Sequence, residues 1–216
     1  MPRIALIHAL AHSVAPINDT LAREWPSAER MNLLDDSLSA DLARSGALDD
    51  AMRARFLQLG AYAASTGANA ILFTCSAFGV CIDAVKQRLA PLPVLKPNEA
   101  MIDEAVAHVR AQGGRIGLLA TFAPTLQSMQ PEFPAGVPLR TAWAEGALQA
   151  LDRGDTAAHD HAAVQAAQAL KAQGCSVIAL AQFSLARARA AVAEATDLPV
   201  LNTPDSAVRA LRQRLA

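Results

Sequence analysis

The chain has 216 residues, 52% hydrophobic and 18% charged, enough to bury a core in one large or two small domains and too apolar for a disordered chain. Its 19 Lys and Arg against 20 Asp and Glu leave a formal charge of −1 without a long run of either sign, so no nucleic acid or anionic membrane is expected as partner. Aromatics make up 4%, too few for a base-stacking platform, and small-ligand chemistry remains.

In chain order, short apolar runs predict strands at residues 3–7, 31–34, 70–74, 93–95, 115–120, 139–143, 177–181 and 199–201. Amphipathic stretches at 47–65, 159–173 and 186–196 predict helices between them, with Gly67, Gly113 and Gly174 where C-caps are expected. Thr203 as cap and Pro204 in the first turn open a last helix. The opening apolar run follows a single Arg3 and reads as a strand rather than a leader, and no run approaches the roughly 20 residues of a membrane helix. Three cysteines without a C-x-x-C pair argue against a disulfide framework or structural zinc and suit a reducing cytoplasm.

Strands alternating with helices predict an α/β fold with parallel, doubly covered sheets. The chain also repeats. The segment from Arg3 aligns with that from Arg115, Gly67 to Thr74 aligns with Gly174 to Ala181, and Leu92-Pro-Val-Leu matches Leu198-Pro-Val-Leu. The expectation is two similar Rossmann-like parallel-sheet halves related by a pseudo-twofold. Residues 1–97 plus 203–216 form the first and 98–202 the second, with the active site in the cleft between them. Ligands of open parallel sheets bind beyond the carboxyl ends of strands, so the residues following each strand are the candidates.

After the third strand, Cys75 stands at a strand-to-helix turn, flanked by Ser76 and Ala77. Free N–H groups at a helix start lower a thiol pKa, making Cys75 a candidate nucleophile or base; an inert buried cysteine is the alternative. Cys81 and Cys175 read as packing. The repeat maps Cys75 onto Gln182, so the second half has an amide where the first has a thiol, flanked by Phe183 and Ser184. His8 ends the first strand and is either a general acid/base or a hydrogen-bonded structural residue; His12 lies close by. His8 maps onto Ala120, Ala9 onto Thr121 and Ser13 onto Thr125. The hydroxyls of Ser13 and Thr125 suit a substrate carboxylate or plain helix capping. Asp35 and Asp36, with Glu145 in a comparable place, either orient an ammonium or hydroxyl of the substrate or cap helices. His159 and His161 point apart on a helix and read as solvated, not as metal ligands. No Gly-x-Gly-x-x-Gly or Walker-type loop is present, and no metal site is expected.

The turn Thr74-Cys75-Ser76-Ala77, the segment from Gly117 to Thr121 and the duplicated layout resemble the aspartate/glutamate racemase superfamily. This group includes amino-acid and hydantoin racemases, maleate isomerase and arylmalonate decarboxylase. The resemblance implies a two-domain, cofactor-independent enzyme with its site in the cleft. It further implies two cysteines, one per half, in the racemases; here Cys75 matches the first and Gln182 stands at the second. The decarboxylases keep the thiol of the second half, the opposite arrangement.

The combined expectation is chemistry at the carbon next to a carboxylate of a small acid, with Cys75 moving a proton on one face. Ser13, Ser76, Thr121, Thr125, Gln182 and the neighbouring backbone N–H groups hold the substrate, and Phe122 and Phe183 form an apolar wall. A one-thiol isomerase or lyase, such as a decarboxylase, is the leading reading. A racemase using His8 or water as second base is one alternative, and a non-catalytic carboxylate-binding protein is another. A homodimer is the working expectation for the assembly.

Overall fold

The computed structural model describes residues 1–216, and the chain divides into two compact units, residues 1–97 with 207–216, and residues 98–206. The first unit contains β1 (Arg3–His8), α1 (Val14–Glu24), β2 (Glu29–Leu34), α2 (Ser37–Ser45), α3 (Asp50–Ser65), β3 (Ala70–Phe73), α4 (Gly79–Leu89) and β4 (Val94–Leu95). The second contains α5 (Glu99–Gln112), β5 (Arg115–Ala120), α6 (Ala123–Met129), β6 (Leu139–Trp143), α7 (Ala147–Asp152), α8 (Thr156–Ala172), β7 (Cys175–Leu180), α9 (Arg189–Thr196) and β8 (Val200–Asn202). The last helix, α10 (Thr203–Arg214), begins in the second unit and ends in the first. No helix is long and apolar enough to cross a membrane.

Each unit holds one four-stranded parallel sheet, ordered β2-β1-β3-β4 and β6-β5-β7-β8. The sequence repeat reappears in individual hydrogen bonds. Thr74 N–H donates to Ile7 O at 3.0 Å, and its counterpart Ala181 N–H donates to Leu119 O at 2.9 Å. Ile71 bonds Pro93 as Ile178 bonds Pro199, and Ser13 bonds Leu10 as Thr125 bonds Phe122. The two halves therefore share one topology and, apart from an irregularity between Arg115 and Ile116 at the start of β5, one register.

The central strands are apolar along their middles because both faces are covered there. In the second unit, Ile116, Leu118, Val177 and Ala179 enter one core with Met101, Ala105 and Met129; Leu119, Ile178 and Leu180 point the other way, into a core with Ala163, Ala167 and Leu170. In the first, Ala5, Ile7, Ile71 and Phe73 pack with Leu38, Met52, Phe56 and Ile82. The edge strands β2 and β6 are only half-buried or exposed along their length.

Side-chain caps set several helix starts later or earlier than the hydrophobic pattern suggests. The Asp49 carboxylate accepts from Met52 N–H at 2.8 Å, so α3 starts at Asp50 rather than 47; Asp155 accepts from Ala158 N–H at 3.0 Å, so α8 starts at Thr156 rather than 159. Residues 183–188 wind as a 3-10 turn before α9. The cap of α10 is Asn202, whose Oδ1 accepts from Asp205 N–H at 2.9 Å, and not Thr203. Thr203 is inside the helix and its hydroxyl donates to Leu180 O at 2.9 Å, tying α10 to the end of β7.

Candidate active site

In a sheet ordered 2-1-3-4, the chain leaves the first strand towards one edge and the third towards the other, which opens a crevice at their carboxyl ends. In the first unit that switch lies between β1 and β3, and Cys75 follows β3 there. Phe73 and Phe78 bracket the turn and both rest on Phe56 of α3, with ring centroids 5.3 and 4.9 Å apart, which anchors the turn at both ends. Cys75 is half-buried in extended conformation ahead of a 3-10 turn, Ser76–Phe78; Ser76 is buried and Ala77 half-buried.

The thiol is not lowered as the helix-start argument expects. Burial pushes it up to about 11, outweighing the Ala77 backbone N–H and the Ser39 hydroxyl that favour the thiolate. A three-residue 3-10 turn has little aligned dipole to offset desolvation. Cys75 is therefore a protonated thiol at neutral pH, suited to giving a proton rather than taking one. Ser39, on α2, was not identifiable from the sequence; its Oγ also donates to Ala9 O at 3.1 Å.

His8 ends β1 fully buried. Its Nδ1 lies 2.8 Å from Thr74 Oγ1 and 3.2 Å from Ser13 Oγ, and its Nε2 lies 3.0 Å from Asn32 Oδ1. The Asn32 oxygen can only accept, so the network assigns the neutral tautomer with the proton on Nε2 and Nδ1 accepting. Burial lowers the imidazole pKa against the opposing Asn32 hydrogen bond, in keeping with a neutral ring. Both nitrogens are thus spent inside the protein, and His8 ties β1, β2 and the segment carrying Cys75 together. Ser13 likewise faces inward, donating to Leu10 O at 2.7 Å and meeting Thr74 Oγ1 at 2.9 Å.

Asp35 already has a cation. Arg55 Nη2 lies 2.6 Å from its carboxylate, and Ser37 Oγ donates to it at 2.6 Å. Burial pushes the carboxyl up, yet the Ser37 and Arg55 contacts prevail and leave it below the usual carboxylate range. Glu145 is exposed.

The second unit repeats the switch between β5 and β7. There Gln182 Oε1 accepts from Thr121 N–H at 2.6 Å and from Thr121 Oγ–H at 2.9 Å. A backbone N–H cannot accept, so the amide is oriented: its oxygen turns to Thr121, and its Nε2 carries two donors away from that pair. Thr121 and Thr125 are buried, and Gln182 is half-buried. The apolar wall expected from Phe122 and Phe183 is only partly present. Phe183 is 2% exposed, a core residue, whereas Phe122 is 39% exposed. Trp143, at the end of β6, is 44% exposed, and its Nε1–H donates to Thr121 O at 3.2 Å. Its counterpart Leu34 ends β2 beside His8, which is the signal that locates it.

Cys81 and Cys175 are buried, with burial raising both thiols. His161 is exposed as expected, but His159 is not solvated: it is fully buried, with Nδ1 2.8 Å from Asp160 Oδ1 and no partner on Nε2. It lies on the face of α8 that packs inward, among alanines too small to announce that face in the sequence.

The family described as Asp/Glu/hydantoin racemase matches residues 11–211. No curated protein matches the sequence. Among solved structures, glutamate racemase RacE1 from Bacillus anthracis is similar with a TM-score of 0.74 at 12% identity, covering 99% of this chain and 81% of that one. Allantoin racemase from Pseudomonas fluorescens is similar with a TM-score of 0.63 at 18% identity, covering 99% and 90%. An arylmalonate decarboxylase variant in a sulfate-associated form has a TM-score of 0.61 at 20% identity, covering 98% and 92%. At these identities the likeness concerns the fold.

Proposed function

The chain belongs to the Asp/Glu/hydantoin racemase family, and we propose that it works at the carbon next to a carboxylate of a small acid with Cys75 as its one proton-transferring thiol, as an isomerase or a lyase such as a decarboxylase. The observation that carries this reading is the unequal pair of strand-end residues: a protonated thiol at Cys75 and, at the matching position, an amide committed to Thr121. His8, with both ring nitrogens engaged, supports the one-thiol form over a His8-assisted racemase.

For a lyase acting on a substituted malonate, the bond between the α-carbon and one carboxylate breaks, carbon dioxide leaves, and the electron pair stays on the α-carbon as an enediolate. The Cys75 S–H gives its proton to that carbon. The resulting thiolate recovers a proton from water, which closes the cycle without an oxidant or a second acid. The Ser39 hydroxyl and the Ala77 N–H are the groups that favour the transient thiolate. The scheme draws on side-chain and backbone groups alone.

The test is turnover by NMR in deuterium oxide with 2-substituted malonates, 2-amino acids and maleate, for the wild type and Cys75→Ser. One of these acids gaining solvent deuterium at the α-carbon, with at least about a hundredfold loss in Cys75→Ser, supports the reading. Retained turnover in the variant refutes the role of the thiol. No exchange with any acid, alongside measurable carboxylate binding, favours a non-catalytic binding protein.

A further inference from the structure

The end of the β5–β6–β7 edge in the second unit carries an uneven mixture of groups. Residues 121–125, 143–146 and 181–184 contain two exposed aromatics, Phe122 and Trp143, and a single charged side chain, the exposed Glu145. The next cation along this segment, Arg187, is held by Asp160 at 2.9 Å. Trp143 is not a loose surface ring: its Nε1–H is fixed on Thr121 O, the same residue whose N–H and Oγ–H orient Gln182. One threonine therefore sets the position of an indole ring and of an amide whose Nε2 is turned away from Thr121.

We propose that this strand-end surface is a specificity subsite for an acid whose α-substituent is apolar, aryl or branched alkyl, with the carboxylate on Gln182 Nε2 and the substituent against Trp143 and Phe122. A substrate with a second carboxylate in that substituent meets no cation here and one like charge, Glu145. Fixed aromatic faces beside a hydrogen-bond donor are the usual means of holding an apolar group while orienting a polar one. The inference deepens the small-carboxylate reading above and rests on it, but it concerns recognition and not the thiol.

The test uses Cys75→Ser protein, so that turnover does not intervene, with Trp25→Phe added so that emission reports Trp143 alone. Phenylacetate and succinate are titrated separately. The expected result is a change of Trp143 emission with phenylacetate and at least about tenfold tighter binding of phenylacetate than of succinate. Calorimetric titrations of Trp143→Ala, and of Phe122→Ala as the second variant, are expected to bring the ratio towards one; Gln182→Leu is expected to weaken both acids alike. Succinate binding as tightly as phenylacetate overturns the proposal. So does a ratio that survives in both aromatic variants, or a variant that changes only the oligomeric size, since the aromatics would then be a subunit contact. Retained turnover in Cys75→Ser would sink the thiol mechanism while leaving this ratio intact, so the two failures are separable.

Discussion

Alkylation of Cys75 by iodoacetamide, quantified at that residue by mass spectrometry from about pH 6 to 11, reads the protonation of the thiol on which the chemistry depends. With the thiol pushed up to about 11 by burial, roughly one molecule in 10,000 carries the thiolate at pH 7. A free thiol titrating near 8.5 is about 3% ionised there, so Cys75 should react about 300-fold more slowly and gain about tenfold per pH unit. The same shift acts on stability. The folded thiol holds its proton where the unfolded one has released it, so the contribution is complete below about pH 8.5 and is lost as pH rises towards 11. The loss amounts to about 3 kcal/mol, at about 1.4 kcal/mol per unit. Comparing wild type with Cys75→Ser by urea unfolding isolates the contribution of this thiol. An alkylation midpoint at or below about 8.5 would mean that the Ala77 N–H and Ser39 hydroxyl outweigh burial, and the assignment of Cys75 as a proton donor would be refuted.

Three further outcomes are expected. The lowered His8 pKa makes its folded form prefer neutrality, so its stabilisation is complete above about pH 6.5 and declines as pH falls towards the folded value. His8→Asn should shift the urea midpoint down at pH 7 by the equivalent of about 2–4 kcal/mol, through the partners it leaves on Thr74, Ser13 and Asn32, and should flatten the acid limb. A Cβ at Gly117 would stand 2.9 Å from Ile178 Cδ1, 3.1 Å from Leu170 Cδ1 and 3.2 Å from Cys175 Sγ; Gly117→Ala should cost about 1–3 kcal/mol and lower Tm by about 3–10 °C in calorimetry. Asn202→Ala, which removes the cap of α10, should cost about 1 kcal/mol by the same unfolding assay, with Thr203→Val costing a comparable amount through the lost bond to Leu180.

The strands and their duplication were legible because buried parallel strands leave continuous apolar runs, and two copies of one register leave two copies of that pattern. Pairing Cys75 with Gln182 follows from the repeat alone, and the bonds at Thr74 and Ala181 reproduce it. Helix starts were less legible: Asp49 and Asp155 decide them by accepting one N–H each, a choice the hydrophobic period does not encode. The state of the thiol was hidden because burial and a short 3-10 turn, not the sequence of the turn, govern it. Phe183, expected in an apolar wall, is in the core while Trp143 is exposed, since two aromatics near strand ends look alike until the fold assigns one to the core. His8 reads as a candidate acid or base from its position, and only Asn32, Ser13 and Thr74 reveal how its nitrogens are used.

The most direct measurement is the configuration of the new carbon–hydrogen bond. On the acid that turns over, in deuterium oxide, chiral chromatography coupled to mass spectrometry counts the deuterium and separates the enantiomers. A lone protonating sulfur delivers one deuterium to one face, giving a single enantiomer, and Cys75→Ser abolishes its formation. Equal amounts of both enantiomers from the wild type, or the same product at an unchanged rate without the sulfur, would contradict the account.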